Sequence, residues 1–182
     1  MSDSKVFIDY GARKGESLHL FLDKRPDLKD AKIVFYEPCE THFGDLQAIK
    51  KARASRDIEI VEKAVWVSDG LKKFTEYHND LANTITPSRR MVGRETRTTL
   101  VPTIDVCETL SECENKYTIV KMDIEGAEIR VLMRLIRTGM INRINELMVE
   151  YHRDRNQVRI AKIHKALKNP QRYKGILTLW PY

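Results

Sequence analysis

The chain has 182 residues, 42% of them hydrophobic, enough to bury one substantial core and short for two. Its 32 basic and 26 acidic side chains leave a formal net charge of +6, but the two signs are interspersed, which describes a mixed, solvated surface better than a dedicated nucleic-acid face. Cys39, Cys107 and Cys113 show no paired-ligand spacing and no clustering with histidines, so neither a disulfide framework nor a metal site is expected, and no apolar run approaches the roughly 20 residues of a membrane span. A single domain over 1–182 in a reducing, cytoplasmic setting is the expectation.

The first element is the apolar run Val6-Phe7-Ile8, which carries Asp9 to its end and passes through Tyr10-Gly11-Ala12-Arg13-Lys14-Gly15-Glu16-Ser17 into a helical pattern. That order reads as a strand delivering its carboxyl end into a nucleoside-sized crevice. Gly11 lets backbone come close to a ligand, and Gly15 lets the next helix pack near the strand. The two glycines are separated by Ala12, Arg13 and Lys14 rather than set as Gly-x-Gly-x-x-Gly. This spacing suits a ligand with an amine and a ribose better than a pyrophosphate, and it argues against a nicotinamide dehydrogenase.

Leu18, Phe21 and Leu22 sit at helical spacing over 15–22, with Pro26 marking the exit. A second strand over 31–36 stops at Pro38, leaving Glu37 at its tip, where a carboxylate can accept both hydroxyls of a ribose. Residues 41–51 form an amphipathic helix with Phe43, Leu46 and Ile49 inward. Ile58-Glu59-Ile60-Val61 is a third strand. Ala64-Val65-Trp66-Val67 is expected to pair with the run 71–77 as a hairpin across Asp69-Gly70, with Trp66 facing a core.

Periodicity breaks over 78–99. Asn79, Asp80, Asn83, Pro87, Ser88 and Gly93 mark a long loop, and Arg89, Arg90, Arg94 and Arg97 make it basic. A loop of this length reads either as a lid suited to an anionic or sugar-phosphate substrate or as a solvated insertion. A strand follows over 98–106. The run Tyr117-Thr118-Ile119-Val120-Lys121-Met122 then carries Asp123 to a second acid-to-glycine junction at Gly126, opening a helix whose buried face is Ile129, Leu132, Met133, Leu135 and Ile136 and whose end is Gly139. A strand over 144–151 has Glu150 and His152 at its mouth. A basic helix over 156–167, with Val158, Ile160, Ile163 and Leu167 inward, leads to a last strand over 176–180.

Alternating strands and helices imply a mainly parallel sheet covered on both faces, with ligands beyond the strands' carboxyl ends. Asp9, Glu37, Asp123 and Glu150 all end strands, so four acids are expected on one rim. Such a rim repels a pyrophosphate and welcomes a sulfonium, an amine and ribose hydroxyls; S-adenosylmethionine carries all three. Methyl transfer from it is an in-line displacement that needs alignment and, for a hydroxyl acceptor, a base. His152, with an ordinary value near 6.5, is the best-matched base by titration, and Asp123 the best-placed acid by topology, with Glu150 beside them. Glu125 and Glu128 suit the start of a helix through its dipole.

The segments 9–17, Tyr36-Glu37-Pro38, Ala64-Val65 before Asp69-Gly70, Lys121-Met122-Asp123-Ile124-Glu125-Gly126-Ala127-Glu128 and 146–152 together resemble the FkbM-type methyltransferases, over most of the chain. The resemblance implies an α/β class I, Rossmann-like three-layer sandwich using S-adenosylmethionine to methylate hydroxyls of sugars or small metabolites; the single strand after the last helix departs from the family and is expected to leave the final hairpin truncated or rearranged. It implies cofactor contacts at Asp9, Tyr10, Gly11, Ala12, Arg13, Gly15 and Ser17 around the methionine part, Glu37 and Pro38 at the ribose, Ala64 and Val65 at the adenine, and Asp123 at the reacting end. Arg13 stands where that family usually has asparagine, and Tyr10 where it has a small aliphatic side chain. Two rivals remain. The basic loop and the pairing of Lys121 with Asp123 suggest ribose 2′-hydroxyl methylation of RNA, and Arg13 with the short carboxyl terminus suggests a non-catalytic cofactor-binding scaffold.

Overall fold

The computed structural model describes residues 4–78, 83–87, 93–152 and 157–179. In chain order its strands and α-helices are β1 Lys5–Tyr10, α1 Ser17–Leu20, β2 Lys32–Tyr36, α2 Glu40–Ala52, β3 Ile58–Val61, β4 Ala64–Trp66, β5 Gly70–Tyr77, β6 Glu95–Asp105, α3 Val106–Thr109, β7 Tyr117–Met122, α4 Glu128–Thr138, β8 Glu146–Val149, α5 Gln157–Leu167 and β9 Ile176–Leu179. Six strands form one sheet in the order β3-β2-β1-β7-β8-β9, with every neighbouring pair parallel. In place of a closing hairpin, β9 adds alone to β8 among the described residues. No described helix is long and apolar enough to cross a membrane.

The strands read as near-continuous apolar runs because both faces of the sheet are covered. Val6, Ile8 and Tyr10 of β1, with Val120, Met122, Leu147 and Val149, pack against α3, α4 and α5 through Val106, Leu132, Leu135, Ile163 and Leu167. Phe7, Ile33, Phe35, Ile119 and Met148 face the other way, onto Leu18, Leu22, Leu28 and Leu46. Each such fully buried side chain contributes about 1.5 to 3 kcal/mol, so the two clusters together fix the register of the strands.

Several sequence expectations are corrected. The Asp69-Gly70 turn does not close a hairpin: β6 inserts between β4 and β5, pairing parallel with the first and antiparallel with the second, in a separate three-stranded sheet ordered β4-β6-β5. A local turn signal cannot report that a distant strand pairs with both arms. The helix expected over 15–22 is a single turn, α1, followed by two short 3-10 turns. On α2, His42 and Leu46 are the buried residues, while Phe43 and Ile49 are half-buried. Met133 on α4 and Val158 on α5, both expected inside, are 37% and 67% exposed, and Val131 takes the inward place on α4. Asn79, Asp80, Ser88, Arg89, Arg90 and Trp180 lie outside the described residues.

The glycines of the first turn are required by contact. Gly11 has φ of +81°, and a Cβ there would lie 1.8 Å from the Asp123 carbonyl oxygen, so what approaches this backbone is the tip of β7. A Cβ on Gly15 would lie 2.6 Å from Ile49 Cδ1, so this glycine admits α2 rather than the following helix. Gly139, which ends α4 at φ of +75°, has open space around it. Gly139→Ala is therefore expected to cost about 1 kcal/mol, the strain of a left-handed backbone. Gly11→Ala should cost more than about 3 kcal/mol in urea unfolding, since backbone must also move.

Candidate active site

Beyond the carboxyl ends of β1, β2 and β7 lies a cleft of about 600 Å³, including the space at its mouth. Gly11 and Arg13 from the first turn, Glu37 and Pro38 after β2, Ala64 and Val65 on β4, and Asp123 after β7 all line it. The small sheet serves the site by carrying Ala64 and Val65, together with Phe74 of β5, into the wall. The cleft also takes Tyr36, His42, Asn83, Thr84, Ile85, Ile124, Glu125 and Ala127, none of which sequence reasoning placed there. The loop after β5 supplies a wall: Thr84 pairs with Thr75 as a β-bridge and donates from its hydroxyl to the Glu125 carbonyl at 2.6 Å. Its Asn, Thr and Ile have no spacing that marks them as cleft residues.

Five residues expected at the cofactor do not line this cleft. Tyr10 points to the opposite face of the sheet, where its hydroxyl meets Thr109. Ala12 is buried on the sheet face that carries Leu18, Leu22 and Leu46, and Gly15 is spent on Ile49. Asp9 is fully buried, one residue before the end of β1, and accepts a hydrogen bond from the Ser17 hydroxyl. Ser17 is itself buried as the first residue of α1, so it anchors that helix to the strand. The rim therefore carries Glu37, Asp123 and Glu150, with Asp9 behind it.

Glu37 is 5% exposed and already organised by backbone. Its Oε2 accepts the Arg13 N–H at 2.7 Å and its Oε1 the Cys39 N–H at 2.8 Å, with His42 Nδ1 3.5 Å from Oε1. Each carboxylate oxygen has two acceptor sites, so capacity remains toward the cleft. Arg13 adopts φ of +50°, a conformation in which asparagine is less strained, and its guanidinium is held by Glu16.

Behind Asp123 the lysine of β7 is buried, and Lys121 Nζ lies 3.1 Å from Asp9 Oδ1 and 3.5 Å from Asp123 Oδ2. Burial opposes its charge, but the charges of Asp9 and Asp123 outweigh it and keep the ammonium protonated above the usual lysine range. In front of Asp123 stands His152. Its Nδ1 donates to Glu128 Oε1 at 2.9 Å, and its Nε2 faces Glu125 at 3.2 Å and Asp123 and Glu150 at 3.7 Å each. Glu128, 1% exposed, also accepts the N–H groups of Ile124 and Gly126.

This surrounding overturns the expectation that His152 is a base with an ordinary titration. Burial disfavours its charge, yet hydrogen bonds to Glu125 and Glu128 and their negative charges push it up to about 11. At neutral pH it is an imidazolium and has no lone pair to accept a proton. Burial raises the Glu125 and Glu150 carboxyls, the latter also through the charge of Asp123. Asp123, Glu128 and His152 present donor atoms within 4.8 Å of one another, and so do Glu37, Cys39 and His42. The expectation that no histidine gathers near a cysteine thus fails at Cys39, whose thiol also meets the Thr41 hydroxyl at 3.0 Å.

No protein-family model matches the chain, and no curated protein does. Among solved structures it is similar to the methyltransferase FkbM from Methylobacillus flagellatus KT, with a TM-score of 0.61 over 91% of this chain at 20% identity. The two share a Rossmann-like α/β fold built on a mainly parallel sheet. The chain spans 38% of the length of that protein. In a Rossmann-like sheet the crevice outside the strands' carboxyl ends is where ligands bind, and the cleft described here occupies that place.

Because the folded value of His152 lies above its unfolded value near 6.5, its contribution to stability is complete below about pH 6.5 and is lost as pH rises toward about 11. His152→Gln is expected to destabilise the protein by about 3 kcal/mol at pH 7, since Glu128 loses its cation. Urea unfolding of both proteins across pH 7 to about pH 10 should show the gap closing at the alkaline end.

Proposed function

We propose that the cleft binds S-adenosylmethionine and that the protein transfers its methyl group to a hydroxyl of a sugar or other small molecule. The observation that carries this reading is the convergence of Gly11, Arg13, Glu37, Pro38, Ala64, Val65 and Asp123, from separate stretches of chain, on one cleft. The likeness in fold to a solved methyltransferase supports it.

In this reading Glu37, held by two loop amides, receives the ribose hydroxyls, Ala64 and Val65 border the adenine, and the turn from Gly11 to Arg13 holds the methionine part. S-adenosylmethionine supplies an electrophilic methyl on a sulfonium, which an excess of carboxylates at the rim attracts. Asp123, with one oxygen toward Lys121 and the other toward His152, is the group placed to take a proton from an acceptor hydroxyl. His152, cationic, orients that carboxylate and neutralises part of the rim. A small-molecule or glycan acceptor is favoured over RNA because Arg97 lies 3.6 Å from Glu40 and 3.8 Å from Glu76, so its charge is offset within the protein. The free thiols suit a reducing, cytoplasmic compartment.

Calorimetry with S-adenosylmethionine and S-adenosylhomocysteine tests the reading. Binding by the natural protein is expected, weakened about tenfold or more in Glu37→Gln, the worth of about 1.5 to 3 kcal/mol for a hydrogen bond to a charged group. Absence of binding by the unaltered chain overturns the proposal, and binding without turnover on glycan, small-molecule and RNA acceptors would leave a scaffold.

A further inference from the structure

Lys121 sits within the sheet, on β7 between β1 and β8, and is 6% exposed. It is absent from the residues that line the cleft. An ammonium in such a place costs several kcal/mol of desolvation unless its charge is balanced and its three N–H donors are used. The charge is balanced by Asp9, at 3.1 Å within the sheet, and by Asp123 Oδ2, at 3.5 Å, and Nζ also donates to the Gly11 carbonyl at 3.1 Å. Gly11 and Asp123 both line the cleft, one from the turn after β1 and one from the turn after β7.

We propose that Lys121 is a positioning residue, which holds the Gly11 carbonyl and the Asp123 carboxylate in fixed places for the bound S-adenosyl ligand without touching it. The inference rests on the reading of the cleft as an S-adenosylmethionine site. A purely structural lysine would need a counter-charge and acceptors for its donors, but nothing in that need decides which groups supply them. The ammonium spans the two turns, which also share the Asp123 N–H to Tyr10 carbonyl hydrogen bond at 3.0 Å. The lysine thus fixes a carboxylate oxygen on one wall relative to a carbonyl on the other, and the distance between ligand-holding groups is set from inside the sheet.

Removing the lysine together with its buried counter-charge separates the two roles. Lys121→Met alone leaves Asp9 without a cation and is expected to lower the melting temperature. The double variant Asp9→Asn, Lys121→Met removes both charges and is expected to regain much of that loss. Its affinity for S-adenosylhomocysteine by calorimetry should nonetheless remain about tenfold below the unaltered protein. Amide exchange at Asp123 and Gly11, whose N–H groups bond the Tyr10 and Tyr36 carbonyls, should be faster than in the unaltered protein while exchange in β8 is unchanged. Recovery of full affinity and protection in the double variant overturns the proposal, since neutralising Asp9 would then be all the lysine does. Lys121→Arg keeps the charge and alters the donor geometry; several-fold weaker binding is expected, and unaltered binding counts against positioning. Should the unaltered chain not bind S-adenosylhomocysteine, the cofactor reading falls, and the exchange rates at Gly11 and Asp123 still decide whether Lys121 holds the two turns.

Discussion

The tips of β1 and β7 meet backbone to backbone, with the Asp123 carbonyl occupying the space a side chain on residue 11 would fill. Only glycine, at a left-handed φ, admits this approach. Everything at the rim follows from it. With the two turns in contact, Asp123 stands beside the glycine turn, the turn after β2 closes over both through the Gly11 and Ala12 N–H groups on the Tyr36 carbonyl, and Glu37 is brought within reach of the Arg13 amide. Parallel strands of similar length deliver their ends to one edge; the missing side chain turns that edge into a cleft.

Electrostatics then sorts the rim into groups aimed at a ligand and groups that hold them. Carboxylates outnumber cations there; the Arg13 guanidinium is held by Glu16, and Lys121 and His152 lie on opposite sides of Asp123. The lysine is inside the sheet and the imidazolium at its mouth, so the aspartate is braced from both directions. Glu37 is braced differently, by backbone amides, which carry no net charge and leave its full negative charge facing the cleft. The two acids of the site are thus held by different means, one by counter-charges and the other by dipoles.

Much of this was legible in the sequence because the sheet is buried on both faces and each strand reads as an apolar run ended by a polar residue. Glu37 and Asp123, each just past the end of such a run, line the cleft; Ala64 and Val65, which line it too, were suggested by the family resemblance and not by the strand pattern. What local pattern could not carry was long-range pairing and depth. Asp69-Gly70 is a turn sequence, yet the strands on either side of it pair with β6 and not with each other. Asp9 looked like a rim acid, and one residue of depth hid it behind Lys121. His152 looked like a base because the carboxylates that charge it come from Glu125 and Glu128, which only the fold brings to the ring. Asn83, Thr84 and Ile85 sit in a stretch with no periodicity at all, where position is decided by hydrogen bonds to Glu125 and Tyr77.

Glu128 has a part in more than the charge of the histidine. It belongs to the first turn of α4, and its carboxylate gathers the amides of Ile124 and Gly126 while holding the imidazole by Nδ1. The chain between those amides includes Glu125 at φ of +51° and Gly126 at +96°, a bend that stays in place because the glutamate clasps it. A molecule that drew the imidazole outward would pull on that clasp, and the load would pass into the opening coil of the helix. Events at the mouth are in this way geared to the α4 side of the sheet, through one side chain and no moving loop.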